Sequence, residues 1–180
     1  MQKSEIIITQ KLILRPFSKE IVNNNYLNWL NDKEITSYLE VNGDYSIEML
    51  NAYVDSMINN KVLIWAIYKK NCNKHIGNIK IDPINLKHGL GEYGILMGCK
   101  EEWGKGYAFE ASTEVIKYCF SNLGIRKITL GVIEDNVAAY KLYLKLGFKT
   151  EGIYKLHGYY NGKFSDCIRM ALFNPLFISP

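Results

Sequence analysis

The residues with the clearest chemical potential lie in two short stretches. In "EEWGKGYAFEAS", Glu101 to Ser112, Gly104 and Gly106 flank Lys105 directly ahead of a helical rhythm. Glycine adopts backbone geometry that other residues resist, so successive amides in such a turn can converge on one point. A helix N-terminus adds unsatisfied N–H donors and the positive end of the helix dipole, which suits a phosphate or pyrophosphate. The same glycines also fit an ordinary tight turn between strand and helix. Spacing excludes two known phosphate loops. A P-loop carries its lysine after the second glycine with Ser or Thr next, and the dinucleotide fingerprint puts glycine or alanine where Phe109 stands. The second stretch is "VIEDNVAAYKLYLKLGF", Val132 to Phe148. Asn136 can start a helix there, Ala139 and Tyr143 follow on its face, and Gly147-Phe148 closes it. A tyrosine hydroxyl, with an ordinary pKa of ~10, is protonated at neutral pH and can donate to a departing anion. Tyr143 fits an apolar core position equally well.

Those stretches need elements to carry them. "EIIITQKLILRPF" predicts a strand ending near Pro16, and "NNNYLNWLNDKEI" a helix with apolar Tyr26, Leu27, Leu30 and Ile35. A second helix is expected at Ile47 to Ile58. Val62 to Tyr68 and His75 to Ile81 read as a β-hairpin across "KKNCNK", and "PINLKHGLG" as a loop. A strand at Glu92 to Met97 leads into the glycine turn. A helix from Tyr107 then ends before Gly124, "KITLGVI" gives a strand at Lys127 to Ile133, and the Asn136 helix follows. Two last strands, near Lys149 to His157 and Phe164 to Leu172, enclose the turn signal "YNGK". The mixture predicts an α/β (α+β) sheet flanked by helices.

Composition narrows the function classes. A chain of 180 residues, 48% hydrophobic, fits one compact domain spanning 1–180. Its apolar runs fall far short of the ~20 residues of a membrane span, and no secretory signal is read at the start, so a cytoplasmic protein with no membrane partner is expected. A net charge of +4 without a basic run argues against nucleic acid. Cys72, Cys99, Cys119 and Cys167 form no C-x-x-C pair, and His75, His88 and His157 no H-x-x-x-H pair, so no metal is expected.

W-G-K-G-Y-A followed by N-x-x-A-x-x-x-Y-x-x-x-G-F resembles the GNAT superfamily of acyl-CoA-dependent N-acetyltransferases. The first motif is similar to that family's [QR]-x-x-G-x-[GA] element, with Trp103 where many members carry Gln or Arg. "ITQKLILRPFS" and "YLNWLNDKEI" look most like the branch that acetylates ribosomal-protein N-terminal amines. The resemblance implies a mixed, mostly antiparallel central sheet of about seven strands with a splayed central pair, flanked by about four helices. It also implies that amides of Trp103, Gly104, Lys105, Gly106, Tyr107 and Ala108 hold the pyrophosphate of acetyl-CoA. Main-chain groups at Leu96, Met97 and Gly98 would pair with the pantetheine arm, and Asn136 and Ala139 would line it. Tyr143 would protonate the CoA thiolate.

Acetyl transfer to an amine also needs a group to remove the ammonium proton. Glu92 is the expected base, with water chains as the alternative. By the same resemblance, the segment Asn23 to Asn60 walls the acceptor. It contributes Trp29, Asn31, Asp32, Tyr38, Glu40 and Asp44, and His157 borders the entrance. Acidic groups suit a cationic amine and aromatic faces a sugar or base. "YLNWLNDKEITSYLE" is similar to acetyltransferases of nucleotide-linked amino sugars, which makes such a sugar the first acceptor. Protein N-termini, polyamines and aminoglycosides are the alternatives, beside a non-catalytic acetyl-CoA sensor. Relatives of this kind suggest a homodimer.

Overall fold

The computed structural model describes residues 4–41 and 43–177. The described residues form five α-helices and one eight-stranded sheet in the order β1-β2-β3-β4-β5-β6-β8-β7. The chain divides into two compact units: one runs up to Asp82 and takes in Gly94–Ala111, and the other combines Pro83–Tyr93 with the chain from Ser112 onward.

In the first unit the single strand expected from "EIIITQKLILRPF" is a hairpin of two, β1 (Ile7–Ile8) and β2 (Leu12–Pro16). Thr9 makes the turn. Its hydroxyl accepts the Leu12 N–H at 2.8 Å while its own N–H donates to the Leu12 carbonyl at 3.0 Å. The apolar run after Asn23 is also split, into α1 (Asn24–Asn31) and α2 (Lys33–Thr36). Asp32 explains the break, because it ends α1 in an extended conformation and its carboxylate accepts the N–H groups of Glu34 and Ile35 as the cap of α2. Ser46 caps α3 (Ile47–Asn59) in the same manner.

β3 (Leu63–Lys69) pairs antiparallel with β2 and with β4 (His75–Asn85), and its first five residues are buried. Trp65, Leu12, Leu14, Leu50, Ile67, Ile76 and Ile79 make the core of this unit. β5 (Leu90–Met97) ends in Gly98 and a short 3₁₀ turn, Lys100–Glu102, before the glycine turn and α4 (Tyr107–Asn122). Gly98 lies flat against Trp29, so that a Cβ there would overlap the indole ring.

In the second unit, the loop expected at "PINLKHGLG" shrinks. Pro83 to Asn85 complete β4, Leu90 and Gly91 begin β5, and the connection keeps only residues 86–89, closed by Gly89 at φ +60°. β6 (Lys127–Ile133) pairs parallel with β5 at Leu90↔Lys127, Gly91↔Ile128 and Glu92↔Thr129. That ladder goes no further among the described residues, so β5 and β6 share three rungs although each has at least seven residues. β6 then pairs antiparallel with β8 (Lys163–Phe173) along its whole length. α5 (Val137–Lys145) starts at Asn136 as expected.

β7 (Lys149–Tyr160) and β8 form a hairpin whose turn residues, Asn161 and Gly162, both have positive φ. This is the primed turn that matches strand twist. The ladder steps from Tyr154↔Cys167 to Gly158↔Ser165, so Lys155, Leu156 and His157 bulge opposite Asp166 alone. The Asp166 carboxylate holds the bulge: it accepts the Leu156 N–H at 2.9 Å and pairs with Lys155 Nζ at 2.6 Å.

Because the Trp29 ring leaves no room at residue 98, Gly98→Ala is expected to lower the unfolding free energy by about 2 kcal/mol through overpacking. Urea denaturation checks this, and a midpoint equal to wild type would show that the strand exit yields without cost.

Candidate active site

The turn between β5 and α4 has the backbone that its sequence suggests. Gly104 and Gly106 lie at φ +74° and +83°, the left-handed region that favours glycine. A Cβ built on either one meets no atom within 4 Å, so the space on that side of the turn is open. A 16-residue helix begins directly afterwards. Open space over a bend that leads into a helix N-terminus is what an anionic group needs in order to reach main-chain amides. The turn therefore fits the phosphate cradle on backbone geometry as well as on sequence.

Three anchors in the first unit hold this turn. Trp103 Nε1 donates to the Met97 carbonyl at 2.8 Å, tying the turn to the end of β5. Glu102, 7% exposed, pairs with Lys69 at 2.8 Å and with Lys105 at 3.0 Å. Lys69 first, and then Lys105, hold the Glu102 carboxyl below the usual carboxylate range. Glu110, in the first turn of α4, accepts from the Thr9 hydroxyl at 2.5 Å and from the Lys11 N–H at 2.7 Å. Glu102 and Glu110 were not among the expected site residues. The Glu102–Lys105 spacing of three was visible in the sequence, but Lys69, on another strand, was not.

The second unit presents Tyr143. It is 7% exposed, edge-on to Tyr93 at 5.7 Å and to Phe148 at 6.0 Å between ring centres. Burial pushes its hydroxyl pKa up to about 12. Tyr93 is anchored in turn by a 2.6 Å hydrogen bond between its hydroxyl and Ser112. Asn136 caps α5, its side-chain oxygen accepting the Ala139 N–H at 3.2 Å. Capping engages the oxygen of the Asn136 side chain and leaves its amide group for other contacts.

Glu92 stands differently from the general base expected of it. Arg169 forks onto its carboxylate, Nη1 to Oε1 and Nη2 to Oε2, each at 2.8 Å, and the Thr129 hydroxyl donates to Oε2 as well. Both oxygens of this carboxylate are therefore engaged by donors from β6 and β8. It serves here as the counter-ion of Arg169.

Several residues expected at the acceptor wall are committed to structure. Trp29 is 8% exposed, packed on Gly98 and tilted 4.8 Å from the His75 ring, which makes it a core residue rather than a ligand platform. Asn31 exchanges two hydrogen bonds with the Tyr45 backbone, at 2.8 and 2.9 Å. Asp32 caps α2 and pairs with Lys100 at 2.8 Å. Tyr38 is half-buried, while Glu40 and Asp44 are exposed; Asn42 lies outside the described residues. His157 is exposed on the β7 bulge, 5.0 Å from Tyr154 between ring centres. The described residues include no group of three or more His, Cys, Asp or Glu that could hold a metal, and no helix long and apolar enough to cross a membrane.

Comparison with known proteins gives this geometry a class. The acetyltransferase (GNAT) domain family matches residues 11–149. The chain belongs to that family, whose members are acyl-CoA N-acyltransferases with acetyl-CoA as acyl donor. It is 31% identical over 161 residues to the uncharacterized N-acetyltransferase YoaA of Bacillus subtilis, covering 87% of this chain and 90% of that protein. Among solved structures it is similar to spermidine N-acetyltransferase of Vibrio cholerae in complex with CoA and spermine. That similarity has a TM-score of 0.85 and 26% identity over 94% of this chain and 99% of that one. The ribosomal-protein-S5-alanine acetyltransferase of Vibrio fischeri shares the fold at a TM-score of 0.83, with 19% identity over 98% of this chain and 100% of that one.

Asn136→Ala is expected to cost about 1 kcal/mol of stability through the lost cap, whereas Asn136→Asp, itself a good cap, should stay within about 0.5 kcal/mol of wild type. Chemical denaturation of both variants checks the assignment; equal losses would mean that the cap is not what Asn136 supplies.

Proposed function

We propose that the chain transfers the acetyl group of acetyl-CoA to a primary amine of a small molecule by direct attack in a ternary complex, both units serving one acetyltransferase domain. The observation that carries the reading is the turn at Gly104 and Gly106, open on its side-chain side and leading into the N-terminus of α4. In this reading the amides of Trp103 to Ala108 hold the pyrophosphate, and main-chain groups at Leu96, Met97 and Gly98 take the pantetheine arm. Asn136 and Ala139 line it from α5, and Tyr143 gives its proton to the leaving thiolate.

The Tyr143 hydroxyl is in the protonated form that a donor to the thiolate needs. A hydroxyl whose pKa stands near 12 keeps its proton throughout the neutral and mildly alkaline range. The Arg169 fork argues that the ammonium proton leaves through water instead of Glu92. Holding both reactants in one ternary complex would supply much of the remaining rate enhancement through proximity.

For the acceptor, the similarity to spermidine N-acetyltransferase over 94% of the chain favours a polyamine. Glu40 and Asp44, both exposed, have the charge to receive one. Tyr38 and His157 would complete the acceptor side. A nucleotide-linked amino sugar is the second reading, carried by the likeness of "YLNWLNDKEITSYLE" to such enzymes.

The test is release of free CoA from acetyl-CoA across spermidine, spermine, nucleotide-linked amino sugars and N-terminal peptides. Tyr143→Phe is expected to lower turnover at least tenfold with acetyl-CoA affinity held within a few-fold; unchanged turnover would remove Tyr143 from the acid role. In the wild type, kcat should rise with pH as the acceptor loses its proton and show no fall up to about pH 10, because the acid is still protonated there. A fall beginning near pH 9 would contradict that assignment. Gly106→Val, which forces a β-branched residue to positive φ and fills the open side, is expected to abolish acetyl-CoA binding. Wild-type affinity in calorimetry would refute the cradle.

A further inference from the structure

Glu102 is a charge placed where charge is costly. Removing a carboxylate from water is unfavourable unless its partners replace the lost hydration, and here both oxygens are taken by ammonium groups. The two lysines are unlike. Lys69, at the end of β3, has a side chain only 15% exposed, and its ammonium lies 5.6 Å from the centre of the Tyr107 ring. It is a fixed counter-ion. The Lys105 side chain is 53% exposed and stands between two residues at positive φ. Glu102 gives it a buried point of attachment three residues back along the chain.

We propose that Glu102 is a positioning residue for the phosphate-holding turn. It carries Lys105 from the buried side and keeps that ammonium at the open face of the bend. When Lys105 turns to a phosphate oxygen, Lys69 stays behind as the counter-ion of Glu102. One carboxylate against two ammoniums leaves the cluster a single net positive charge, so it attracts an anion while keeping Glu102 paired throughout. The proposal rests on the reading of the turn as the acetyl-CoA phosphate cradle. It predicts a sign opposite to that of simple electrostatics: a carboxylate acting only as a nearby negative charge would repel phosphate, and its removal would tighten binding.

The experiment is calorimetric titration of the full chain with acetyl-CoA and with S-acetylpantetheine, which has the thioester arm and no phosphate. Wild type is expected to prefer acetyl-CoA by at least tenfold. Glu102→Gln should weaken acetyl-CoA tenfold or more and move S-acetylpantetheine less than twofold. Glu102→Asp keeps the charge but is one methylene too short to reach both lysines, and it should weaken acetyl-CoA as well. Lys105→Met should lose as much as Glu102→Gln, and the double variant should lose no more than Lys105→Met alone. Since Glu102→Gln leaves Lys69 without its counter-ion, Lys69→Gln combined with Glu102→Gln removes both charges of that pair and keeps the comparison possible in a folded chain, with the same loss expected. Unchanged or tighter acetyl-CoA binding by these folded variants would overturn the proposal. So would equal losses on both probes, or additive losses in the Glu102/Lys105 double variant. A wild type with no preference between the probes would overturn the cradle reading itself, and this proposal with it.

Discussion

Two positive-φ residues within three positions, with open space on their side-chain side, make a bend that local preference alone does not hold. Glycine permits the conformation but also gains the most freedom when the bend relaxes. The first unit meets that constraint with anchors drawn from three separate places: the end of β5 through Trp103, β3 through Lys69 and Glu102, and the β1–β2 turn through Glu110. The early strands thereby acquire a purpose that their own residues do not announce. Even the fit of Trp29 on Gly98 belongs to this scheme, since it fixes the backbone five residues before Trp103.

In the second unit the alternation of a β-strand separates two tasks. Successive residues of a strand face opposite sides of a sheet, so Glu92 and Tyr93 cannot join the same cluster. Tyr93 packs with Tyr143 and Phe148, and Glu92 pairs with Arg169 and Thr129. A core position for Tyr143 is therefore compatible with the acid role proposed for it. The aromatic packing that makes it a core residue also desolvates its hydroxyl, which extends the pH range over which it keeps its proton. A site can be built in this way from the same contacts that stabilise the fold.

What was legible in the sequence was mostly local. The helix of α3, the strand at Lys127–Ile133 and the Asn-Gly turn were marked by periodicity or by turn chemistry, and they stand where those signals put them. The hairpin at Ile7 to Pro16 was hidden because its turn uses the side chain of Thr9 instead of a glycine or proline. The proline and glycine of "PINLKHGLG" suggested the opposite error, a loop where strands continue, since a proline is tolerated in extended backbone. Asp32 looked like an acceptor ligand and is a cap. The charge pairs were the least legible. Lys69 and Glu102 are 33 residues apart and Glu92 and Arg169 are 77 apart, and only folding brings such partners together.

This distance dependence bears on acceptor choice. Of the polar and aromatic residues in the segment from Asn23 to Asn60, Trp29 is packed away, Asn31 holds the backbone of Tyr45, and Asp32 and Glu34 share Lys100. Those groups already have partners within the fold, so recruiting them for a ligand would mean breaking a native contact first. Glu40 and Asp44 lie on the surface four residues apart, and a polycation would meet negative charge there. A nucleotide-linked sugar would instead need cations for its phosphates. Within the stretch itself Lys33 is the one basic residue, against six acidic ones, Asp32, Glu34, Glu40, Asp44, Glu48 and Asp55. Charge in this segment is therefore net negative, which suits the cationic acceptor proposed above better than one that carries phosphates.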